Sequence, residues 1–440
     1  MTQRPRLSVI GTGYLGATHA VCMVELGFEV IGVDVDHAKI DSLRAGRIPF
    51  FEPGLPELLA KHMNSGALRF TTDYAEAAEF ADVHFICVGT PQKQGQYAAD
   101  LTYVESAFRT LAPHLKRRTL VVGKSTVPAG TAVQMEQVLT ELAPADGVEL
   151  AWNPEFLREG FAVEDTLRPD RLVFGVHSDW AEQQLRAAFA PVIESGTPVI
   201  VTDFATAELV KVAANSFLAT KISFINAMAE VCEATGADVT QLADAIGHDA
   251  RIGRRFLNAG LGFGGGCLPK DIRAFIARAG ELGVDQAVSF LRDVDEINLR
   301  RRARTLELGL DLLDGSYRGT RVAVLGAAFK PNSDDVRDSP ALDVAAAVGR
   351  RGADVVVFDP EANETARKHA PELNYVGSLN EALTGADLVM LLTEWQEFRN
   401  MDPQAVSSLV RHQNIVDGRN VLVPAQWRDA GWHYRALGRP

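Results

Sequence analysis

The segment RLSVIGTGYLGATHAVCMVELGFEVIGVDVD, Arg6 to Asp36, constrains the fold more than any other stretch of this chain. It reads as strand, glycine turn, helix and strand. The turn is Gly11-x-Gly13-x-x-Gly16. The first glycine permits a tight turn, the second lets backbone approach a pyrophosphate, and the third lets helix and strand pack closely. The helix start adds N–H donors and a partial positive charge. Asp34 ends the next strand, about twenty residues past the glycines, where a ribose-binding acid belongs. Its carboxylate accepts from ribose hydroxyls and repels a 2′-phosphate, so NAD is expected rather than NADP. The flanking strands are apolar and β-branched, as in a sheet buried on both faces.

The rhythm continues through DVHFICVGTP, TLVVGKSTV, ELAWNPEF and RLVFGV, with helical stretches between. That alternation predicts a Rossmann-like, doubly wound parallel sheet over residues 1–203. The character then changes. ATAELVKVAANSFLATKISFINAMAEVCEATG is a long helical pattern without internal proline, closed by a glycine stop signal. Residues 204–312 therefore read as a central helical section. The long helix carries enough apolar and small positions to serve as a subunit interface. Residues 313–440 return to strands and helices in RVAVLGAAF, DVVVFDP, ADLVMLLTEW and NIVDGRNV. This second α/β domain lacks the glycine fingerprint, since Gly326 is followed by Ala-Ala-Phe-Lys. A different ligand, or the same kind of ligand held differently, is expected there.

At 440 residues the chain exceeds one ordinary core. Its 44 Lys and Arg against 57 Asp and Glu give a net charge of −13, which argues against broad binding to nucleic acid or anionic membrane. The opening MTQRPRLSVIGTGYLG has no room for a signal peptide's apolar core. Four scattered cysteines do not make a disulfide framework. The expected setting is a reducing cytoplasm, where a thiol remains a nucleophile.

Cys22, Cys87 and Cys232 sit in apolar helix or strand patterns and read as inert core thiols. Cys267 differs. In GFGGGCLPKD, Gly262 to Asp271, glycines precede it and Pro269 marks a helix start just after it. A helix N-terminus and the nearby Lys270 both favour thiolate. An aldehyde gives up hydride poorly, but its thiohemiacetal gives it up readily. Beside a nicotinamide, such a thiol can carry a substrate to the acid through a thioester. Lys211 and Asn215 are one turn apart on the long helix, hence on one face. They read either as a solvent-facing stripe or as help for a developing alkoxide. In WNPEFLREG, one of the carboxylates Glu155 and Glu159 reads as a general base and Arg158 as an anion contact, or the segment is simply a capped helix start.

Taken together, GTGYLG, PFFEPGL, VGTP, KSTVPAGT, NPEFLREG, RPDR, GFGGGCLPKD and LGAAFKPNSDDVRDSP resemble the nucleotide-sugar 6-dehydrogenases, the UDP-glucose/GDP-mannose dehydrogenase family. The resemblance spans nearly the whole chain in order. It implies oxidation of UDP-glucose to UDP-glucuronate with two NAD⁺ and water. It also implies an NAD-binding first domain, a dimer-forming middle section and a C-terminal domain that helps bind UDP. By motif position, Cys267 is the nucleophile, and Lys211 and Asn215 stabilise alkoxide and oxyanion. Asp271 works with Lys211 and a water, while Thr126 and Glu155 organise water or act as base. Gly11, Gly13, Tyr14, Leu15, Gly16, Asp34, Lys39, Thr90, Thr126, Glu159, Lys270 and Arg337 match NAD contacts. Glu155, Phe156, Leu157, Arg158, Lys211 and Asn215 match contacts to the nucleotide sugar. So do Phe256, Leu257, Asn258, Gly260, Phe263, Gly264 and Lys330. Two positions depart from the common pattern: Gly266 stands where many relatives carry Ser, and Leu268 replaces Phe. The GDP-mannose branch also has Cys-Leu-Pro-Lys-Asp, whereas LRPDR at 167–171 is of the UDP-glucose type. An alternative of another class is a one-step β-hydroxyacid dehydrogenase, which needs neither the thiol nor a third domain. A third alternative is a pseudoenzyme that senses NAD or a nucleotide sugar.

Overall fold

Apolar runs form the strands of two sheets, whose central strands are buried on both faces, as parallel sheets require. The structure, a computed structural model, describes residues 4–440. The chain divides into two units. One runs through Ala214 and takes in Arg273–Gly283, and the other comprises Asn215–Ile272 and Val284–Pro440.

The first unit holds eight strands among the described residues. They are β1 (Leu7–Ile10), β2 (Val30–Val33), β3 (Leu68–Thr71), β4 (Val83–Ile86), β5 (Thr119–Gly123), β6 (Val148–Trp152), β7 (Leu172–Val176) and β8 (Val199–Thr202). Their order in the sheet is β3-β2-β1-β4-β5-β6-β7-β8. All neighbours run parallel except β6 and β7. That one reversal departs from the wholly parallel expectation. A parallel partner needs a crossover that returns the chain to the starting edge. Residues 153–171 carry only a six-residue helix, so β7 starts at the end where β6 stops. Strand residues alternate between two cores. Val9, Phe85, Val122 and Phe174 feed one, and Ile10, Ile86, Val121 and Trp152 feed the other.

The order reverses between β1 and β4. At such a switch point a crevice opens outside the carboxyl ends of the strands. Asp34 follows β2, Thr90 follows β4, Thr126 follows β5 and Glu155 follows β6. The sheet therefore delivers these candidates to one edge.

The second unit repeats the plan with β9 (Arg321–Leu325), β10 (Asp354–Phe358), β11 (Asn374–Tyr375), β12 (Leu388–Leu391), β13 (Asn414–Asp417) and β14 (His433–Ala436). Their order is β11-β10-β9-β12-β13-β14, all parallel, which matches the first six strands of the other sheet. The internal duplication read from the sequence is thus real at the level of topology.

Five helices matter for the site. They are α1 (Tyr14–Glu25), α2 (Ala162–Leu167), α3 (Phe204–Thr235), α4 (Leu268–Glu281) and α5 (Phe290–Leu312). At 32 residues, α3 is the long helix expected from the unbroken pattern. Gly236 stops it at φ +76°, a left-handed backbone that glycine adopts without a Cβ penalty.

One buried cation ties the sheet ends together. Lys124 follows β5, and its Nζ donates to Asn153 Oδ1 at 2.8 Å. Asn153 Nδ2 in turn donates to the Val173 carbonyl at 3.0 Å. The Phe85 and Phe189 rings lie 5.8 and 5.5 Å from the ammonium. Burial lowers the Lys124 pKa from its ordinary 10.5 to about 8, with Cys87 and Glu155 opposing the drop and Lys211 adding to it. His19 also feels the Lys124 charge. The native state therefore holds fewer protons than the unfolded chain between pH 8 and 10.5, so this group's contribution to stability rises with pH across that window. Lys124→Met removes the titration. Wild type should gain on the mutant by up to about 1.4 kcal/mol per pH unit above pH 8. Urea midpoints measured from pH 7 to 10 test this, and parallel curves for the two proteins would contradict it.

Candidate active site

The dinucleotide turn is built as its glycines require. Gly11 has φ +88°, and a Cβ on Gly16 would sit 1.7 Å from the Gly11 carbonyl oxygen. At Gly13, the residue before α1, a Cβ would meet nothing within 4 Å. That space lies at the helix's first N–H groups, where a pyrophosphate fits. Asp34 is 7% exposed. It accepts from Thr12 N at 2.8 Å, Asp36 N at 3.1 Å and Lys39 Nζ at 2.8 Å. Burial works against its charge, but these donors, Lys39 first, outweigh it and hold the carboxyl below its ordinary range. The acid is therefore ionised and aimed by its own turn. The residues fit NAD, whose nicotinamide, when bound, accepts a hydride. Thr90 Oγ1 donates to the Thr126 carbonyl at 2.8 Å, which joins the loops after β4 and β5.

Glu155 and Lys211 meet in the same unit. Lys211 Nζ lies 3.0 Å from Glu155 Oε1, and Leu157 N donates to Glu155 Oε2 at 2.6 Å. Lys211 is 4% exposed. The solvent-stripe reading of Lys211 and Asn215 therefore fails, since both are buried. The Phe156 ring lies 5.4 Å from Lys211 Nζ and carries the Arg171 guanidinium at 3.8 Å on its face. Arg158 folds onto Asp165, which accepts from its backbone N, Nε and Nη2 at 2.8, 2.9 and 2.6 Å.

The second unit carries the thiol. Cys267 immediately precedes α4 and is exposed, as the glycine-then-proline pattern predicts. Its carbonyl accepts the Asp271 N–H at 3.0 Å, the first turn of the helix. Asp271 is 2% exposed. It accepts from Asn215 Nδ2 at 2.6 Å and from Lys270 Nζ at 2.5 Å. The other three cysteines are buried, and burial pushes Cys22 and Cys87 up to about 12 and raises Cys232. Cys267 is thus the accessible thiol.

The glycine tract before it is packed against residues 337–338. Gly265 N donates to the Arg337 carbonyl at 2.8 Å. A Cβ on Gly264 would lie 2.2 Å from the Asp338 carbonyl oxygen, so only glycine fits. At Gly266 a Cβ would meet the flexible end of Arg337, which can move. The Gly-for-Ser departure is therefore mild.

Several residues that hold the candidate sugar loop were not singled out in the sequence. Asn226 Oδ1 accepts from Gly260 N at 2.9 Å. Asn298 Oδ1 accepts from Phe263 N at 2.7 Å, and its Nδ2 donates to the Phe263 carbonyl at 3.0 Å. Arg419 donates to the Gly262 and Phe329 carbonyls at 3.0 and 3.1 Å. Two asparagines buried in helices were the available signal. Phe256 has φ +67°, a backbone strained for a non-glycine and typical of functional loops. Leu257 packs into a small core with Ile225 and Ala229, while Arg254 Nη1 holds Asn258 Oδ1 at 2.8 Å. Lys330 lies 5.3 Å from the Phe329 ring.

Three family profiles match the chain in order. They are the NAD-binding domain over residues 5–193, the central domain over 205–300 and the UDP-binding domain over 323–424 of UDP-glucose/GDP-mannose dehydrogenases. The chain belongs to the UDP-glucose/GDP-mannose dehydrogenase family. It is 42% identical over 437 residues to a UDP-glucose 6-dehydrogenase of Rhizobium meliloti, covering 99% of this chain and all of that one. A UDP-glucose dehydrogenase structure from Pyrobaculum islandicum matches with TM-score 0.91 at 39% identity, covering 100% of this chain and 99% of that one. A GDP-mannose dehydrogenase ternary complex from Pseudomonas aeruginosa matches with TM-score 0.54 at 29% identity, covering 98% and 99%. The chain is thus an NAD-dependent oxidoreductase whose first domain is the family's NAD-binding domain.

Proposed function

We propose that this chain oxidises the C6 hydroxymethyl group of UDP-glucose to the carboxylate of UDP-glucuronate, with two NAD⁺ and one water, and that Cys267 carries the sugar between the two oxidations. The observation that carries this reading is the exposed thiol at the start of α4, one helical turn from an Asp271 already bonded to Asn215. The closer likeness to UDP-glucose enzymes than to the GDP-mannose enzyme supports the substrate. A one-step β-hydroxyacid dehydrogenase leaves both this thiol and the second α/β domain without a task.

Residues of the chain divide the work as follows. NAD is held by the Gly11–Gly16 turn, Tyr14, Leu15, Asp34 and Lys39, with Thr90, Thr126, Glu159, Lys270 and Arg337. The nucleotide sugar is held by Phe156, Leu157 and Arg158, by the 256–264 loop and by Lys330. In the first step the C6 hydroxyl loses its proton, carbon C6 gives up a hydride to the first NAD⁺, and an aldehyde forms, the Lys211 ammonium stabilising the alkoxide on the way. The Cys267 thiolate then adds to the aldehyde carbon, and Asn215 and Lys211 stabilise the oxyanion. Loss of a second hydride from that carbon leaves a thioester. Water, organised by Thr126 and Glu155 or by Asp271, adds to the thioester, and the thiolate leaves as the acid forms. Glu155 reaches Lys211 directly, so proton and charge can pass between them.

Residues 1–203, 204–312 and 313–440 act in this scheme as NAD-binding, central and UDP-binding sections. A cytoplasmic setting suits an enzyme that needs a reduced thiol. Among the described residues no helix is long and apolar enough to cross a membrane. The α3 surface supports a homodimer. Phe217, Phe224 and Val231 recur every seven residues on it, at 67%, 49% and 53% exposure, a seam that a second copy would cover. Sedimentation should report a dimer that Phe224→Glu splits, and a monomeric wild type would remove that proposal.

The reaction is tested by counting NADH across a panel of nucleotide sugars. UDP-glucose should yield two NADH and UDP-glucuronate. Cys267→Ala should bind NAD and UDP-glucose with unchanged affinity by calorimetry, yet form no UDP-glucuronate. Two NADH per sugar from that mutant at a wild-type rate would end the covalent mechanism. One NADH per sugar from wild type would favour the one-step alternative.

A further inference from the structure

Glu52 of the PFFEPGL segment takes no part in the chemistry above, yet it is a carboxylate only 2% exposed. Its Oε2 accepts from the Tyr14 hydroxyl and from Gly160 N, the latter at 2.7 Å. Its Oε1 accepts from Ala162 N at 2.7 Å and Val163 N at 3.4 Å. The Tyr14 oxygen also accepts from Gly160 N at 2.9 Å. No cation is among these partners. Three backbone N–H groups and one phenol satisfy the charge, two of them being first-turn donors of α2 that have no partner within the helix.

The position of these partners matters. Tyr14 follows Gly13 of the dinucleotide turn and opens α1, with its ring 4.8 Å from that of Phe50. Arg158 and Glu159 directly precede Gly160, and Arg158 is fixed to Asp165 within α2. One carboxylate from a third segment is therefore the fixed point shared by the cofactor turn and by the loop carrying both a sugar contact and a cofactor contact. Burial, followed by the hydrogen bond to Glu52, raises the Tyr14 pKa, so the phenol stays protonated as the donor.

We propose that Glu52 is a positioning residue that couples the dinucleotide turn to the Arg158–Gly160 loop, so that seating one ligand organises the contacts of the other. The proposal rests on the roles given above to Arg158 and Glu159. Geometry makes it testable. Each oxygen of Glu52 accepts from two donors. A glutamine has one such oxygen, and its NH₂ would face the Ala162 and Val163 N–H groups in one orientation or the Gly160 N–H in the other, where the Tyr14 hydroxyl can turn to accept. Glu52→Gln must therefore lose either the bond from Gly160 N or those from the α2 start, and reverse the bond to Tyr14 in the first case.

The experiment measures NAD affinity by titration without sugar, the UDP-glucose KM, kcat and Tm for Glu52→Gln, Tyr14→Phe and the double mutant. Glu52→Gln should weaken NAD binding and raise the UDP-glucose KM by about tenfold each, as expected for a buried donor left unmade. Its kcat at saturation should stay within roughly threefold, because no reacting group has moved far. The double mutant should be little worse than Glu52→Gln alone, since both break one link. A Glu52→Gln protein with lowered Tm but both constants within about twofold of wild type would make the residue merely structural and overturn the proposal. Fully multiplicative effects of the two changes would overturn it as well. If Glu52→Gln does not fold, Tyr14→Phe keeps the carboxylate, and unchanged constants there overturn the proposal on their own. Arg158→Ala reports on the underlying reading separately. A normal UDP-glucose KM in that variant would remove the role of Arg158 whatever Glu52 does.

Discussion

One helix has to bury two polar side chains a turn apart, and the rest of the site follows from how it does so. A buried ammonium is costly unless a carboxylate meets it closely and the remaining donors are satisfied. Lys211 meets Glu155 at 3.0 Å within the first unit, and Asn215 meets Asp271 at 2.6 Å within the second. These bonds fix the segment after β6, which carries the proposed base, and the first turn of α4, which directly follows the proposed nucleophile. Within each unit, local stability and the proposed chemistry rest on the same contact.

The two sheets show how one topology serves two ligands. Asp359 follows β10 as Asp34 follows β2, yet the two acids meet different surroundings. Asp359 accepts from the N–H groups of Ala327, Ala328, Glu361 and Ala362 and from Trp395 Nε1. Five donors fill the four or so lone-pair sites of a carboxylate. No ribose hydroxyl can add to it. The donors on Asp34 include the flexible ends of Lys39 and Thr12, which a ribose can displace. A duplicated fold thus keeps its dinucleotide chemistry in the first copy alone, in keeping with a UDP-binding role for the second.

Much of this was legible in the sequence because it is local. The glycine fingerprint, Asp34, the span of α3 and the thiol before Pro269 all lie within short windows whose spacing maps directly onto turns and helices. The strand rhythm gave the sheets, but not the reversal of β7, which depends on how little helix separates it from β6. Glu52, Asn226, Asn298 and Lys124 escaped notice for a different reason. Each acts through bonds between segments tens of residues apart, mostly from side chain to backbone, and such bonds leave no period in the chain. A buried charged or amide residue in an apolar run is their sole trace, and it does not name the partner.

The claim that α3 supplies catalysis, rather than plain binding, is tested most directly by Lys211→Ala in single-turnover experiments with UDP-glucose affinity measured in parallel. Removing one charge aimed at a developing oxyanion in a closed site should slow turnover by about a hundredfold or more. UDP-glucose affinity should change little, because the ammonium acts mainly in the transition state. A mutant with near-normal turnover and a raised KM would contradict the account, placing Lys211 among the ordinary substrate contacts.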